Sequence, residues 1–323
     1  MTSPHAMNPV LVEAMRGNAL ESAHRGAIAV VDADGTLVAS LGDTLRPIFP
    51  RSAIKVLQAL PLVESGAADR LGLDDEELAV ACASHGGEPK HTAVVARMLG
   101  KAGLDVHALE CGTHWPYRET VQRQMAAAGR EPNALSNNCS GKHAGFLGLA
   151  CQLCGGVDLR QYARGYVAPE HAVMREVSAA IAAATGCDLG AAPRGTDGCS
   201  IPTFAIPLRK LALGFARVGT GRGLSAGHAA AAARLRGAVA RQPFMVAGTG
   251  RFDTRVAQAL GERVFCKVGA EGVYCAALPE RGLGVAIKIE DGNNARAAEV
   301  TMAAAIEALV DLGDADASFM RGL

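Results

Sequence analysis

Ser52 and Lys55 stand three residues apart in Arg51-Ser52-Ala53-Ile54-Lys55, and the run continues as Val56-Leu57-Gln58-Ala59-Leu60-Pro61-Leu62-Val63. If the stretch is helical, serine and lysine share one face a turn apart. Pro50 stands just ahead of it, where a first helical turn begins. From Ser52 to Val63 the only long polar side chains are Lys55 and Gln58. A helix apolar nearly all round belongs in an interior, where a lysine is expensive unless it is paired or neutral. A lysine pushed toward neutrality beside a serine can take the hydroxyl proton and create a nucleophile. The alternative is an amphipathic helix whose lysine snorkels to solvent. The string is short enough to arise by chance, so both readings stand on local grounds.

Three further groups carry possible chemistry. Ser84 lies in Ala83-Ser84-His85-Gly86-Gly87, a polar, glycine-flanked bend after an apolar segment, which also reads as a helix C-cap loop. Lys267, in Cys266-Lys267-Val268-Gly269, sits on an apolar strand two residues before a turn glycine, and alternation alone leaves its face open. Asn137-Asn138-Cys139-Ser140-Gly141-Lys142-His143 and Thr196-Asp197-Gly198-Cys199-Ser200 bring two thiols, a lysine, a histidine and an aspartate. Two thiolates completed by a nitrogen and water would hold a metal. Their spacing matches no zinc finger, and buried free thiols are the alternative. The order S-x-x-K, a serine loop and a late K-x-G strand resembles that of penicillin-binding proteins and serine β-lactamases.

Other strings carry little. Cys151-Gln152-Leu153-Cys154 lacks a thioredoxin-like βαβ context. Gly219-Thr220-Gly221-Arg222-Gly223 and Gly248-Thr249-Gly250 lack dinucleotide-site spacing. His114, His171 and His228 read as surface or core residues.

Composition narrows the field. Charged residues make up 20% of 323 and the formal net charge is zero, so no basic field is available for nucleic acid. Aromatics are only 4%, which argues against stacked-base recognition. No apolar run is long enough for a membrane span, and Met1 to Arg25 does not read as a signal peptide. Nine cysteines without a secretion signal are expected to be reduced thiols of a cytoplasmic protein.

Hydrophobic patterning predicts strands at both chain ends. A hairpin is expected from Ala27–Asp32 and Thr36–Leu41, and late strands from Phe244–Ala247, Val264–Val268, Val273–Leu278 and Gly284–Glu290. Helices are expected after Ser52 and Asp74, over 91–102, 119–128, 143–153, 168–185 and 227–236, and finally from Asn294 to Leu312. Alternating βα units are missing, which argues against a doubly wound parallel sheet. The expected fold is therefore α/β in the α+β sense. One antiparallel sheet forms from N- and C-terminal strands (about 8–50 and 242–323), with a helical insertion at about 51–241, in a single unit spanning 1–323.

R-S-A-I-K (51–55), C-A-S-H-G-G-E (82–88), N-N-C-S-G-K-H-A-G (137–145), G-T-D-G-C-S-I-P-T-F-A (195–205) and K-V-G-A-E-G-V-Y (267–274) together resemble the rhizobial-type L-asparaginases. The resemblance implies a serine β-lactamase- and glutaminase-like fold, hydrolysis of L-asparagine to L-aspartate and ammonia, and a homodimer. It implies Ser–Lys pairs Ser52/Lys55 and Ser84/Lys267, zinc ligands Cys139, Lys142 and Cys199, and an orienting role for Asp197 beside them. Arg51 and His143 match positions near the substrate. The sequence leaves open which serine attacks first; Ser52 is the expected nucleophile. A glutaminase or other β-lactamase-like serine hydrolase, or an amidohydrolase using zinc-bound water, is the alternative.

Overall fold

The computed structural model describes residues 8–322. Part of the N-terminal stretch judged for a leader, residues 1–7, lies outside them. Six strands form one antiparallel sheet: β1 (Val10–Arg16), β2 (Ala19–Asp32), β3 (Leu37–Leu41), β4 (Phe265–Val268), β5 (Val273–Leu278) and β6 (Leu283–Ile289). The order is β1-β2-β6-β5-β4, with β3 on β2. The first and last parts of the chain meet where β6 pairs β2, from Leu283 opposite Asp32 to Ile289 opposite Gly26. Closing that pair across the whole helical insertion confirms the expected architecture.

Strand pleating sorts side chains to opposite faces with period two. On one face Ala27, Ala29, Val31, Phe265, Val273, Cys275, Ala277 and Ala286 join the large core shared with the helical insertion. On the other, Val30, Cys266, Val268, Tyr274, Ala276, Val285 and Ile287 pack against α8 (Phe252–Leu260), α9 (Glu299–Leu309) and the last helix, Asp314–Arg321. The sheet is thus the middle of three layers.

The insertion is built on α1 (Lys55–Glu64), α2 (Asp75–Ala81), α3 (Pro89–Lys101), α4 (Ser140–Leu153), α5 (Ala172–Thr185), α6 (Leu208–Thr220) and α7 (Ala226–Arg241). A capping box opens α2: Asp74 accepts from the Glu77 N–H, and Glu77 accepts from the Asp74 N–H. No helix among the described residues is long and apolar enough to cross a membrane.

Several local expectations change. Phe244–Ala247 forms the helical turn Pro243–Ala247. Pro243 at its first position favours helix, and a short apolar run cannot distinguish strand from buried helix by pattern. Helices α6 and α8 and strand β1 were not expected. The C-terminal helix begins as a π turn at Asn294–Ala298 before continuing as α9. Ser52 itself lies in a 3₁₀ turn, Arg51–Ile54, and α1 starts at Lys55.

Helix α6 lies on the sheet at Gly284, where a Cβ would stand 2.0 Å from Ala212 O and 2.3 Å from Ala216 N. Both are backbone atoms, so a side chain there forces the helix off the sheet. Gly284→Ala is expected to lose about 1–3 kcal/mol, read as a lower midpoint in urea unfolding.

Candidate active site

Arg51 adopts φ +53°, in the left-handed region where a residue with a Cβ is strained. The next turn is 3₁₀, whose three-residue period eclipses Ser52 and Lys55. The turn is also held from the sheet side. A Cβ on Gly269, just past β4, would lie 2.7 Å from Pro50 O, so only glycine lets the strand end meet the serine turn this closely. Ser52 remains partly exposed, whereas Lys55 is 1% exposed.

Lys55 does not snorkel. Its Nζ donates to Ala83 O at 2.6 Å and Asn138 O at 3.3 Å. It thereby ties the start of α1 to the Ser84 segment and to the loop before α4. Burial pulls its pKa below the usual lysine value, and the nearby Lys142 adds to this. The Cys139 and Cys199 sulfurs oppose the shift.

Ser84 lies beyond the end of α2, and its N–H donates to Val246 O at 3.0 Å. Its hydroxyl is buried without a hydrogen-bond partner. The following residues are held rigidly. His85 Nδ1 accepts from the Gly87 N–H at 3.1 Å, and its Nε2 faces Ser140 Oγ at 3.0 Å. Because Ser140 donates its own proton to Leu135 O, the Nε2 proton belongs to His85, which is neutral. Burial likewise holds its pKa well below the ordinary histidine value. Glu88 receives Thr249 through its N–H and hydroxyl, both at 2.8 Å, and Arg118 at 3.1 Å.

Lys267 is 0% exposed and projects from β4, the last strand in the sheet order. Its Nζ donates to Val268 O at 2.9 Å and lies 3.5 Å from Asp253 Oδ2. Burial lowers its pKa to about 8 despite Asp253, with Lys55 and Arg251 adding to the lowering. Asp253, near the start of α8, was not identified from the sequence. An acid in a helix's first turn reads as a dipole partner, yet this carboxylate is buried and also receives the Val268 N–H and the Tyr274 hydroxyl.

Cys139, Lys142 and Cys199 converge as the sequence suggested. Lys142 Nζ donates to Cys199 Sγ at 3.0 Å. The Cys199 thiol together with Lys55 and Lys142 pulls the Cys139 thiol well below its usual pKa, while Cys199 is pushed up. Among the described residues no three His, Cys, Asp or Glu gather as metal donors, so a metal here depends on the lysine. Against the pull of burial, the facing Cys199 and Cys139 sulfurs raise the Lys142 pKa, so two soft sulfurs and one nitrogen would fit zinc with that proton displaced by the ion.

Asp197 Oδ1 accepts from Arg51 Nε at 2.8 Å and from the Gly198 N–H at 2.8 Å, and its charge is felt by Lys142. The arginine beside the serine is thus linked to the thiol cluster. His143 Nδ1 meets Tyr166 OH at 2.5 Å, while Nε2 is buried without a partner. Burial keeps this histidine neutral.

Ser52 and Ser84 make no hydrogen bond to their proposed lysines in this structure, although Lys55 reaches the carbonyl immediately before Ser84. The Lys55 charge helps lower the pKa of Lys267. The only non-glycine residues with left-handed φ among those described are Arg51, Ser200 and Glu271. All three fall in segments that carry site groups, as stored strain often does.

Two buried serines test these hydrogen-bond assignments. Ser140→Ala strands Leu135 O and His85 Nε2 and is expected to lose about 1–3 kcal/mol. Ser84→Ala strands nothing and is expected to unfold within about 0.5 kcal/mol of the parent. Urea titration of both variants checks the contrast.

A family model described as L-asparaginase II matches residues 12–321. No curated protein matches the chain. Among solved structures, Mglu in its glutamate form is 18% identical with a TM-score of 0.40, covering 97% of this chain and 67% of its own. A second Mglu structure is 16% identical with a TM-score of 0.40, covering 90% and 69%. A β-lactamase from Mycobacterium bovis is 16% identical with a TM-score of 0.40, covering 88% and 94%. Likeness this slight carries no function, and the fold rests on the strand order and layers described above. The chain spans about two thirds of the Mglu chains. The family match takes in all ten residues that the sequence singled out, and the chain is an enzyme of the L-asparaginase II family.

Proposed function

We propose that the protein hydrolyses L-asparagine to L-aspartate and ammonia through a serine nucleophile, with Ser52 making the first attack. The observation that carries this reading is Lys55, a wholly buried lysine of depressed pKa, eclipsed with a partly exposed serine. The family match supplies the substrate class.

Ser52 Oγ attacks the side-chain carboxamide carbon as its proton passes to Lys55 Nζ, giving a tetrahedral oxyanion. Backbone N–H groups of the Arg51–Ile54 turn are the assigned donors for that oxygen, the Ala53 N–H being released from Pro50 O. Collapse breaks the C–N bond, and the leaving nitrogen takes a proton from the Ser84–Lys267 side, leaving ammonia and an ester on Ser52. Water, deprotonated from the same side, cleaves the ester to L-aspartate. Lys55 must turn from Ala83 O toward Ser52 for the first transfer, since catalytic hydrogen bonds often tighten only with substrate bound.

Arg51 is assigned to the substrate's carboxylate end, with Asp197 fixing its guanidinium. His143 Nε2, without a protein partner, is assigned to the substrate. Zinc, held by Cys139, Cys199 and neutral Lys142, would supply a charged anchor for the amino-acid end and order the two loops. The homodimer implied by the resemblance and the cytoplasmic setting expected from the cysteines belong to the same proposal. A monomeric sedimentation coefficient at working concentration would remove the dimer.

Ammonia release from L-asparagine and L-glutamine, beside turnover of a chromogenic cephalosporin, tests the substrate. Glutamine turnover far exceeding asparagine turnover would overturn the assignment. Ser52→Ala is expected to lower kcat by roughly a thousandfold or more. Full activity in that variant, abolished by chelation, would instead establish attack by metal-bound water. The pH profile of kcat/KM is expected to fall across about pH 8 as Lys267 gives up the proton that the leaving nitrogen needs.

A further inference from the structure

Asp253 sits where three demands meet. Its Oδ2 accepts the Val268 N–H at 3.2 Å and stands 3.5 Å from Lys267 Nζ, while Oδ1 accepts the Tyr274 hydroxyl. Cys266 Sγ lies at 4.0 Å from the same oxygen. The carboxylate is only 2% exposed, so burying it is costly unless its charge is answered. No salt bridge other than that to Lys267 answers it among the described residues.

The geometry has a directional consequence. β4 ends the sheet order, so one edge of that strand lacks a strand neighbour. Asp253 occupies this edge by taking the Val268 N–H. It reaches Tyr274 and Cys266 on one face of the sheet and the Lys267 amine beside them. The other charged groups felt by Lys267 are cationic, Lys55 and Arg251, and the neighbouring Cys82 and Cys275 thiols are kept protonated by burial. Glu299 feels the Asp253 charge, and burial together with that charge raises its pKa.

We propose that Asp253 is a positioning residue for Lys267: clamped by Tyr274 and the Val268 amide, its carboxylate fixes the amine at the sheet edge and governs its charge. The proposal rests on the assignment of Lys267 to proton transfer, but its test does not depend on turnover.

The chain holds seven lysines, so the ¹³Cε signals of labelled lysine are few, and the one lost in Lys267→Arg identifies this residue. Asp253→Asn removes the neighbouring negative charge and is expected to move the Lys267 titration down by about one pH unit or more. Tyr274→Phe keeps the carboxylate but takes away its phenol donor, leaving more charge directed at the lysine, and is expected to move the titration up. Opposite directions separate positioning from general damage, which would move both the same way. An unchanged titration in both variants, or shifts of the same sign, overturns the proposal. If Asp253→Asn does not fold, the upward shift in Tyr274→Phe still decides it. In kinetics, Asp253→Asn is expected to carry the limb near pH 8 downward with KM unchanged. Titrations that shift as stated in a protein without asparagine turnover would uphold the positioning and overturn the proposed function.

Discussion

The site depends on keeping a lysine where water cannot reach it. Lys55 gains stability there only by bonding what surrounds it, and those partners are the Ala83 carbonyl, beside Ser84, and the Asn138 carbonyl, beside Cys139. The two belong to different site segments. The same requirement that makes the lysine a ready proton acceptor therefore fixes the distance between serine turn, serine loop and thiol loop. The lowered pKa and the architecture of the pocket share one cause, the exclusion of solvent.

The scaffold delivers these segments through close backbone contacts. Gly284 lets α6 lie on the sheet, and Gly269 lets the end of β4 touch Pro50. The sheet reaches the pocket at that point, bringing Lys267 from the chain's last strands to a turn some two hundred residues earlier. Left-handed backbone at Arg51, Ser200 and Glu271 falls in the same segments. Such conformations persist because buried packing around them leaves no alternative.

Much of this was legible in the residues themselves. The apolar run after Ser52 announced an interior helix and hence a buried lysine. Two thiols with a lysine, a histidine and an aspartate marked the Cys139 and Cys199 segments as candidate metal donors, and the strand pattern at both chain ends gave one sheet. What escaped notice was information carried by partners distant in sequence. Asp253 looked like a helix-start acid, because its role depends on an edge strand and on Tyr274, twenty-one residues away. Phe244–Ala247 looked like strand because four apolar residues have no readable period. The sequence also could not show that Lys55 bonds a carbonyl beside the second serine, since that contact joins helices brought together only by the core.

Ser84 has a consequence for timing. Its backbone is anchored at Val246 O, while its hydroxyl has no acceptor or donor in the resting pocket. A hydroxyl bound to a neighbour must break that bond before it can turn; this one is a rotor without a detent. Reorientation toward an arriving substrate then takes place on the timescale of side-chain torsion, far faster than any turnover. Under the proposed mechanism, the second serine would enter the reaction without an unlocking step.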